Sequence, residues 1–425
     1  MQKSFFIKTR KNFFKKIESP SVTVLFSGRP IQRTADQEYP FEVNRNFYYL
    51  TGINQAQVIL VLIKNNNLQE AHLFIEENDP VLVKWVGKKL EPVEASKISG
   101  IELENIHFLS SFDSFMFKLF NSTRSPQGTY KVLYLDLEQR ELPGYTNQAL
   151  EYSEVIRKKY PAVVIKNCYE DIIHLRMYKH PEEVALMRES IETTKGGIEE
   201  LMRSSVPGLL EYQLEAYFNL WIKYHGNKKP SFETIVASGK NATILHYVNN
   251  DDVLKDKDLI LFDLGCQTEC YVSDITRTFP INGKFTKRQK EIYNVVLDVN
   301  KKCIEFLKPG ITWDEYNNYA KKLLSEGCKK LGLIKEDSEL SKYYYHSIGH
   351  SVGLDTHDPA LYQYPIDEGM VITVEPGLYI EEEGIGIRIE DNVLITKDGC
   401  INLSKDIIKE VDEIEQFMKE NNKFI

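Results

Sequence analysis

The hydrophobic pattern of the first 175 residues is that of short buried strands. Apolar runs at 22–28, 57–63, 72–77 and 131–137 are rich in Val, Ile and Leu, and polar or helical stretches separate them. Strands that alternate with helices in this way are typical of an α/β domain built on a mostly buried sheet. We therefore predict such a domain over residues 1–175.

The pattern changes beyond residue 175, where helices group with helices and strands with strands. Pro181 lies just inside a helix start and acidic residues follow it, which suits the first turn of a helix. Helical spacing extends over 181–203, 210–226, 286–307 and 312–332, and strand-like segments occupy 258–265, 270–279, 370–375, 378–381, 385–390 and 392–396. This grouping predicts an antiparallel α+β sheet covered by helices on one face. We place the boundary near Leu175–His180 and the second domain at 176–425.

Length and composition agree with two folded domains and restrict the class of partner. A chain of 425 residues exceeds the size at which one hydrophobic core stops growing. Its 42% hydrophobic and 27% charged residues are ordinary for a folded protein. The formal net charge of −9 argues against nonspecific nucleic-acid binding, which needs a basic face.

The N-terminus and the cysteines favour a cytoplasmic protein without a membrane partner. The first seventeen residues are basic and aromatic, but their longest apolar run, Phe5–Ile7, is too short for a signal peptide. We expect an amphipathic first helix packed on its own domain, and no later segment has the apolar length of a membrane span. The six cysteines are scattered, which predicts buried thiols in a reducing compartment.

Two aspartates interrupt strand-like sequence in the stretch DLILFDLGCQTECYVSDITRTFP. Asp263 ends a nearly pure apolar run, where an ionised carboxylate is costly unless it is paired or binds a metal ion. Asp274 follows eleven residues later, beyond a short turn that contains Gly265. A hairpin of that length can bring both carboxylates to one cation. The alternative is that both are ordinary turn aspartates beside strands.

Two glutamates repeat the arrangement in MVITVEPGLYIEEEGIGIRIEDNVLIT. Glu375 closes an apolar strand and is followed by Pro-Gly. Further along, isoleucines alternate with Gly386, Arg388 and Glu390, so Arg388 and Glu390 share one face. The alternative here is a charged hairpin whose polar face lies in solvent.

Histidines favour a site over these alternatives. His346, His350 and His357 lie within the twelve residues HSIGHSVGLDTH, and His246 in NATILHYVNND is a further candidate. A lone histidine is more often structural, but three together in a chain whose apolar strands end in carboxylates indicate a functional cluster.

Four carboxylates and an imidazole point to a particular chemistry. Hard oxygen ligands suit Mn, Co or Zn in a carboxylate-bridged pair, and four carboxylates neutralise two divalent ions. Two such ions would lower the pKa of water, polarise a carbonyl and stabilise an oxyanion, while nearby histidines donate or shuttle protons. The set therefore predicts amide hydrolysis.

At these residues the chain resembles the aminopeptidase P and prolidase group of the pita-bread metallopeptidases. The strings LHY, FDLG, SDITRTFP, GHSVGLDTHD, VEPGLYI and GIRIEDN occur in the family's order over about 150 residues. The segment FSGRPIQRTADQEYPFEVNRNFYYLTGI is similar to the noncatalytic N-terminal domain of aminopeptidase P. Methionine aminopeptidases share the metal fold but lack that domain. The resemblance implies an α/β N-terminal domain followed by a pita-bread catalytic domain, a curved antiparallel sheet covered by helices.

The resemblance also assigns roles to individual residues. It implies that two divalent ions, Mn²⁺ with Co²⁺ or Zn²⁺ as alternatives, are bound by Asp263, Asp274, His350, Glu375 and Glu390, with Asp274 and Glu390 shared. It makes His246 and His357 catalytic residues near the scissile bond and the oxyanion. It assigns His346 and Arg388 to substrate binding, with His346 in the pocket for proline and Arg388 beside the last ligand, where it ties acidic groups together. Trp85 resembles a tryptophan that reaches a neighbouring subunit's site in some relatives.

The function implied by the resemblance is that of an Xaa-Pro aminopeptidase. Such an enzyme releases the first residue of peptides with proline at position two, and a homodimer or homotetramer is expected. An Xaa-Pro dipeptidase (prolidase) is the first alternative. A catalytically inert binding protein on the same fold is the second, although such proteins lose the ligands that this chain retains.

Overall fold

The computed structural model describes residues 1–66, 68–121, 128–139, 147–227 and 229–423. They form two compact units, Met1–Arg176 and Met177–Ile425. Among the described residues, no helix combines the length and the apolar character needed to cross a bilayer.

The N-terminal unit is built on a six-stranded mixed sheet of order β6-β5-β4-β1-β7-β8. Its strands, with the separate ribbon β2–β3, are β1 (Ser21–Phe26), β2 (Gln32–Thr34), β3 (Gln37–Glu38), β4 (Ile59–Asn65), β5 (Leu68–Ile75), β6 (Ile106–Phe108), β7 (Val132–Leu135) and β8 (Val164–Asn167). Strand β4 is antiparallel to β1 and β5, whereas β6, β7 and β8 pair in parallel. Buried Val24, Val61 and Leu135 on neighbouring central strands belong to one apolar core. The predicted α/β architecture is confirmed.

The helices of this unit include the predicted amphipathic first helix. They are α1 (Lys3–Lys16), α2 (Arg45–Thr51), α3 (Leu82–Val86), α4 (Pro92–Ser99), α5 (Phe112–Asn121), α6 (Gln148–Lys159) and α7 (Tyr169–Met177). In α1 the aromatic residues Phe5, Phe6, Phe13 and Phe14 are buried, while basic residues end the helix. Helix α1 thus packs through an aromatic face within its own unit, as its sequence predicts.

Antiparallel strands and long helices form the C-terminal unit, in agreement with the α+β prediction. The strands are β9 (Ile235–Ser238), β10 (Leu259–Leu264), β11 (Gln267–Thr268), β12 (Tyr271–Val272), β13 (Ile275–Pro280), β14 (Val371–Val374), β15 (Gly377–Ile380), β16 (Ile385–Arg388), β17 (Asp391–Thr396) and β18 (Gly399–Asn402). They pair as β13-β10-β9, β14-β17-β18, β15-β16 and β11-β12. The helices are α8 (Pro181–Ser204), α9 (Glu211–Tyr224), α10 (Lys287–Phe306), α11 (Trp313–Lys330) and α12 (Val411–Asn421).

Helices α10 and α11 begin where side-chain caps satisfy the free backbone N–H groups of their first turns. The Thr286 hydroxyl accepts from the Gln289 N–H while the Gln289 side chain accepts from the Thr286 N–H. Thr312 and Glu315 make the same reciprocal pair at the start of α11. These capping boxes explain why both helices begin within one residue of the predicted starts.

One predicted strand, 270–279, is interrupted. The structure divides it into β12 and β13, with Ser273 and Asp274 between them. The backbone N–H of Asp274 donates to Asn392 Oδ1, and its carbonyl accepts from Asn392 Nδ2 at 2.7 Å. Because Asn392 takes both backbone groups of Asp274, that residue leaves the strand ladder, and the prediction of one continuous strand is wrong.

Candidate metal centre

Asp263 and Asp274 lie on neighbouring strands at one end of the β10–β13 pair. Asp263 on β10 is opposite Thr276, and Asp274 directly precedes β13. The turn between them depends on Gly265, since an ideal Cβ there would lie 1.9 Å from the Ser273 carbonyl oxygen. A residue with a side chain cannot make this approach, so Gly265 fixes the hairpin that brings the two aspartates together.

Glu375 and Glu390 flank a second antiparallel pair, β14 and β17. Glu375 directly follows β14 and Glu390 directly precedes β17, and the neighbouring residues Val374 and Asp391 are paired across the ladder. The Glu390 N–H donates to the Thr276 carbonyl at 3.0 Å, which connects this pair to β13. Two antiparallel strand pairs thus direct four carboxylates to one place.

His350 enters the cluster with its Nε2 atom. That atom lies 3.5 Å from Asp274 Oδ2 and 3.5 Å from Glu375 Oε1. Its other nitrogen, Nδ1, is 3.0 Å from the Ser351 carbonyl oxygen. Because a carbonyl only accepts, Nδ1 carries the proton and Nε2 presents its lone pair toward the carboxylates. A histidine that binds a metal ion through Nε2 requires this tautomer.

The donor set fits a divalent cation. Asp274, His350 and Glu390 each offer a ligand atom, and the three atoms lie within 4.8 Å of one another. Asp263 Oδ1 and Glu390 Oε1 are buried and accept no hydrogen bond from the described part of the chain. Buried carboxylate oxygens without partners are costly, and a shared cation would satisfy them. The arrangement therefore suits hard metal ions with oxygen ligands.

The raised pKa values of the carboxyl groups in the cluster also indicate that a bound cation would stabilise their ionised forms. Burial, joined by the neighbouring carboxylates, raises the pKa values of Asp274 and Glu390 well above their usual range. Burial raises the pKa of Glu375 to about 7, against the opposing effect of Arg388. Without metal ions the cluster retains protons that a bound cation would displace.

Arg388 caps the cluster on one side. Its Nη2 donates to Asp263 Oδ2 at 2.6 Å and its Nε donates to the Thr276 hydroxyl at 3.1 Å. That hydroxyl in turn donates to Glu390 Oε2 at 2.7 Å. Arg388 thus connects two predicted ligands, one directly and one through Thr276. Arg388 therefore lies beside acidic groups, and its role in substrate binding stays a prediction.

His346 lies at the end of a hydrogen-bond chain from Arg388. Arg388 Nη1 donates to the Tyr379 hydroxyl at 3.0 Å, and that hydroxyl is 2.9 Å from His346 Nε2. His346 Nδ1 lies 2.7 Å from the Ser347 carbonyl oxygen, so it carries the proton, and Tyr379 donates to Nε2. Burial and then the charge of Arg388 lower the pKa of His346 to about 4. His346 is therefore neutral at pH 7.

The two predicted catalytic histidines lie beside this set. The His357 ring contacts that of His350, with 4.0 Å between ring centroids, and burial lowers the pKa of His357 to about 4. His246 is exposed. Electrostatic interaction with His246 is one of the smaller effects that lower the pKa values of His346 and His357. His246 therefore lies close enough to both rings to influence them. Trp85 is 82% exposed on α3 of the N-terminal unit, and its suggested role stays a prediction.

Tyr379 and Thr276 were missed by the sequence analysis. Both lie within matched strings, VEPGLYI and SDITRTFP, but neither is a residue type that marks a metal site on its own. Their hydroxyls matter because they join Arg388 to His346 and to Glu390 across strands distant in sequence. Only the folded arrangement reveals that function.

The stability of the metal-free protein is expected to fall as pH rises above about 6.5. Carboxyls with raised pKa values keep protons in the folded state that the unfolded state has released, so deprotonation disfavours folding. Below pH 6.5, the usual histidine pKa, protonation of the unfolded histidines opposes this trend. Thermal unfolding of chelator-treated protein should therefore show a lower melting temperature at about pH 8.5 than at about pH 6.5.

Added Mn²⁺ should raise the melting temperature more at the higher pH, because protons no longer compete for the ligands. Asp274→Asn should flatten the pH dependence and serves as the comparison. A melting temperature of the metal-free protein that stayed constant or rose over this range would contradict the proposed electrostatics.

Comparison with known families agrees with this geometry. A model described as metallopeptidase family M24 matches residues 185–397, and one described as the aminopeptidase P N-terminal domain matches residues 6–127. The chain belongs to metallopeptidase family M24. Within that class it is similar to the Xaa-Pro aminopeptidase of Escherichia coli (strain K12), with 34% identity over 435 residues that cover 97% of each chain.

Solved structures share the whole architecture. A Bacillus anthracis structure, provisionally assigned as an aminopeptidase P, is 49% identical and superimposes with a TM-score of 0.96 over 100% of both chains. A zinc-substituted E. coli aminopeptidase P in complex with product is 31% identical, with a TM-score of 0.90 over 100% of this chain and 99% of that chain. The predicted fold, an N-terminal domain followed by a pita-bread catalytic domain, is confirmed.

Proposed function

We propose that this protein is an Xaa-Pro aminopeptidase, which removes the first residue of peptides with proline at position two. The observation that carries the proposal is the buried cluster in which His350 Nε2 faces Asp274 and Glu375. Within it, one carboxylate oxygen of Asp263 and one of Glu390 accept no hydrogen bond from the described residues. Similarity to Xaa-Pro aminopeptidases along nearly the whole chain supports the substrate class.

Asp263, Asp274, His350, Glu375 and Glu390 would hold two divalent ions, and we take Mn²⁺ as the physiological metal. When bound, the ions supply Lewis-acid activation of the attacking water and of the scissile carbonyl. Four carboxylates balance the charge of two such ions, and their oxygen atoms suit Mn²⁺, with Co²⁺ and Zn²⁺ as substitutes.

The remaining residues orient groups and hold protons. Arg388 donates to Asp263, which fixes that carboxylate in one orientation, and Thr276 does the same for Glu390. His357 is neutral at pH 7, so it can donate a ring N–H to a developing oxyanion without adding a positive charge. His246 is the second proposed catalytic residue, and His346 with its partner Tyr379 would line the site for the proline ring.

Proline at position two fits this machinery because an Xaa-Pro bond is a tertiary amide. The proline nitrogen carries no hydrogen, and the proline ring fixes φ. A peptidase that binds its substrate through a hydrogen bond from this backbone N–H therefore cannot cleave an Xaa-Pro bond. A centre that activates water and carbonyl directly has no need of the missing donor.

The activity test compares peptides that differ in the residue at position two or in the presence of residues after it. Mn²⁺-loaded protein should release free X from X–Pro–Y–Z, and from X–Ala–Y–Z far more slowly. Turnover of X–Pro alone, with X–Pro–Y–Z resistant, would favour the dipeptidase. Because the five predicted ligands suffice for two ions, metal analysis should find about two ions per chain. A protein that contains no removable metal and cleaves no X–Pro peptide would instead be an inert binding protein.

Several broader assignments belong to the same proposal. We assign residues 1–175 to the noncatalytic domain and residues 176–425 to the catalytic one, supported by the two family matches. A cytoplasmic location is supported by six free cysteines, five of them buried and Cys400 half-buried. We also propose that the protein forms a homodimer or homotetramer and has no nucleic-acid or membrane partner. Light scattering with mass determination tests the oligomeric state.

A further inference from the structure

A single side-chain amide joins the backbones that carry Glu375 and Glu390. Asn300 on α10 is fully buried, and its Nδ2 donates to the Val374 carbonyl at 3.1 Å and to the Ile389 carbonyl at 3.2 Å. These carbonyls belong to the residues directly before the two glutamates. One NH₂ group thus ties together two segments that both lead into the cluster.

The geometry of an amide makes this connection rigid. The two hydrogens of an NH₂ group lie in one plane at a fixed angle, so the two acceptors must keep a fixed spacing to use both. Val374 ends β14, whereas Ile389 lies in the connection between β16 and β17. Val374 is paired with Asp391, and the Ile389 N–H donates to the Pro376 carbonyl at 3.3 Å, but Val374 and Ile389 are not paired with each other. Asn300 therefore adds a direct link between the Val374 and Ile389 carbonyls where the pairing changes from β14–β17 to β15–β16.

Lys409 fixes the orientation of the amide. Its Nζ donates to Asn300 Oδ1 at 2.8 Å and to Asp391 Oδ2 at 2.5 Å. An ammonium only donates and a carbonyl only accepts, so the oxygen of Asn300 must face Lys409 and its nitrogen must face Val374 and Ile389. The neighbours therefore exclude the flipped amide.

We propose that Asn300 is a positioning residue that sets the spacing of Glu375 and Glu390 for metal binding. Among the described residues, its amide hydrogen-bonds to backbone carbonyls and to Lys409 rather than to a predicted ligand side chain, so it would act through the backbone that leads into both glutamates. The inference rests on the proposed function in so far as these glutamates bind the metal ions. Metal–oxygen distances tolerate only a few tenths of an ångström, so loss of this tie should weaken binding even where the chain still folds.

Asn300→Asp tests the inference with little change in shape. The variant can keep its contact with Lys409 but replaces both N–H donors with an oxygen that faces two carbonyl oxygens. Calorimetric titration with Mn²⁺, without peptide, should show an affinity lower by about 10- to 100-fold, the usual effect of changing a group that supports metal ligands. The kcat for an X–Pro–Y–Z peptide should fall more than KM changes.

Val296→Ala on the same helix is the matched control. Val296 is also fully buried, and its truncation removes apolar contacts but no hydrogen bond. It should lower the melting temperature while Mn²⁺ affinity stays at the wild-type value. If Asn300→Asp does not fold, Asn300→Ser, which retains one donor, takes its place with a smaller expected loss of affinity.

Wild-type Mn²⁺ affinity in a folded Asn300 variant would overturn the positioning role, and so would an equal loss of affinity in Val296→Ala. A wild-type protein that binds Mn²⁺ but cleaves no X–Pro peptide would instead overturn the proposed activity, and the affinity comparison would still stand.

Discussion

Asp274→Asn is expected to fold normally and to lose activity by several orders of magnitude. Burial already favours the neutral form of Asp274 in the metal-free protein, so a neutral amide of the same shape should cost little stability. The amide removes a negative charge and places an NH₂ donor or a weaker oxygen ligand where a cation would bind. Metal analysis, circular dichroism and kcat for an X–Pro–Y–Z peptide measure the three effects.

Asp398→Asn provides the control for this experiment. Asp398 is exposed in the turn between β17 and β18, so its neutralisation changes net charge equally without changing the cluster. Its activity should equal that of the unmodified protein. Normal activity in Asp274→Asn would refute the proposed shared ligand.

Arg277→Met is expected to destabilise the C-terminal unit more than any surface change of the same kind. Arg277 and Asp391 are both 0% exposed, and Arg277 Nη2 donates to Asp391 Oδ1 at 2.8 Å. Arg277 Nη1 also donates to the carbonyls of Glu390 at 2.6 Å and Thr276 at 2.9 Å. Loss of one partner of a buried ion pair typically costs about 3–5 kcal/mol, because the other charge stays buried without full compensation.

The pKa of Asp391 explains how much depends on this arginine. Burial alone would raise that pKa, but the charges of Arg277 and Lys409 hold it below its usual range. Without Arg277 only Lys409 remains as the cationic partner at this carboxylate among the described residues. The free energy of unfolding in urea measures the loss.

Arg288→Met is the matched comparison. Arg288 pairs with Glu383 near the surface, where the side chains are 34% and 29% exposed. Such pairs contribute about 0–1 kcal/mol, so this variant should change the unfolding free energy little. Equal effects of the two substitutions would contradict the importance of burial at Arg277.

The sequence predicted the elements well where local signals determine them. The helix predicted at 286–307 is α10, and the strand predicted at 258–265, which contains Asp263, is β10. Helical spacing predicted the first and an apolar run predicted the second. Carboxylates at apolar strands, three histidines close together in sequence and the family resemblance predicted one site, and the structure brings Asp274, His350 and Glu390 together.

Interactions between distant segments could not be read in the same way. Nothing in the sequence near Asn300 indicates that its amide reaches Val374 and Ile389, 74 and 89 residues away. The break at Asp274 depends on Asn392, which lies 118 residues further along. Such contacts depend on how hairpins and helices pack, and hydrophobic periodicity carries no information about them.

The buried network behind the cluster has a consequence for metal exchange. Arg277 and Asn300 hold backbone carbonyls next to the predicted ligands through protein hydrogen bonds alone. We therefore expect the chain to exchange one divalent ion for another without refolding. Selectivity among divalent ions depends on ligand type, geometry and metal availability. We therefore expect preparations from differently supplemented media to differ in metal content while their folds coincide.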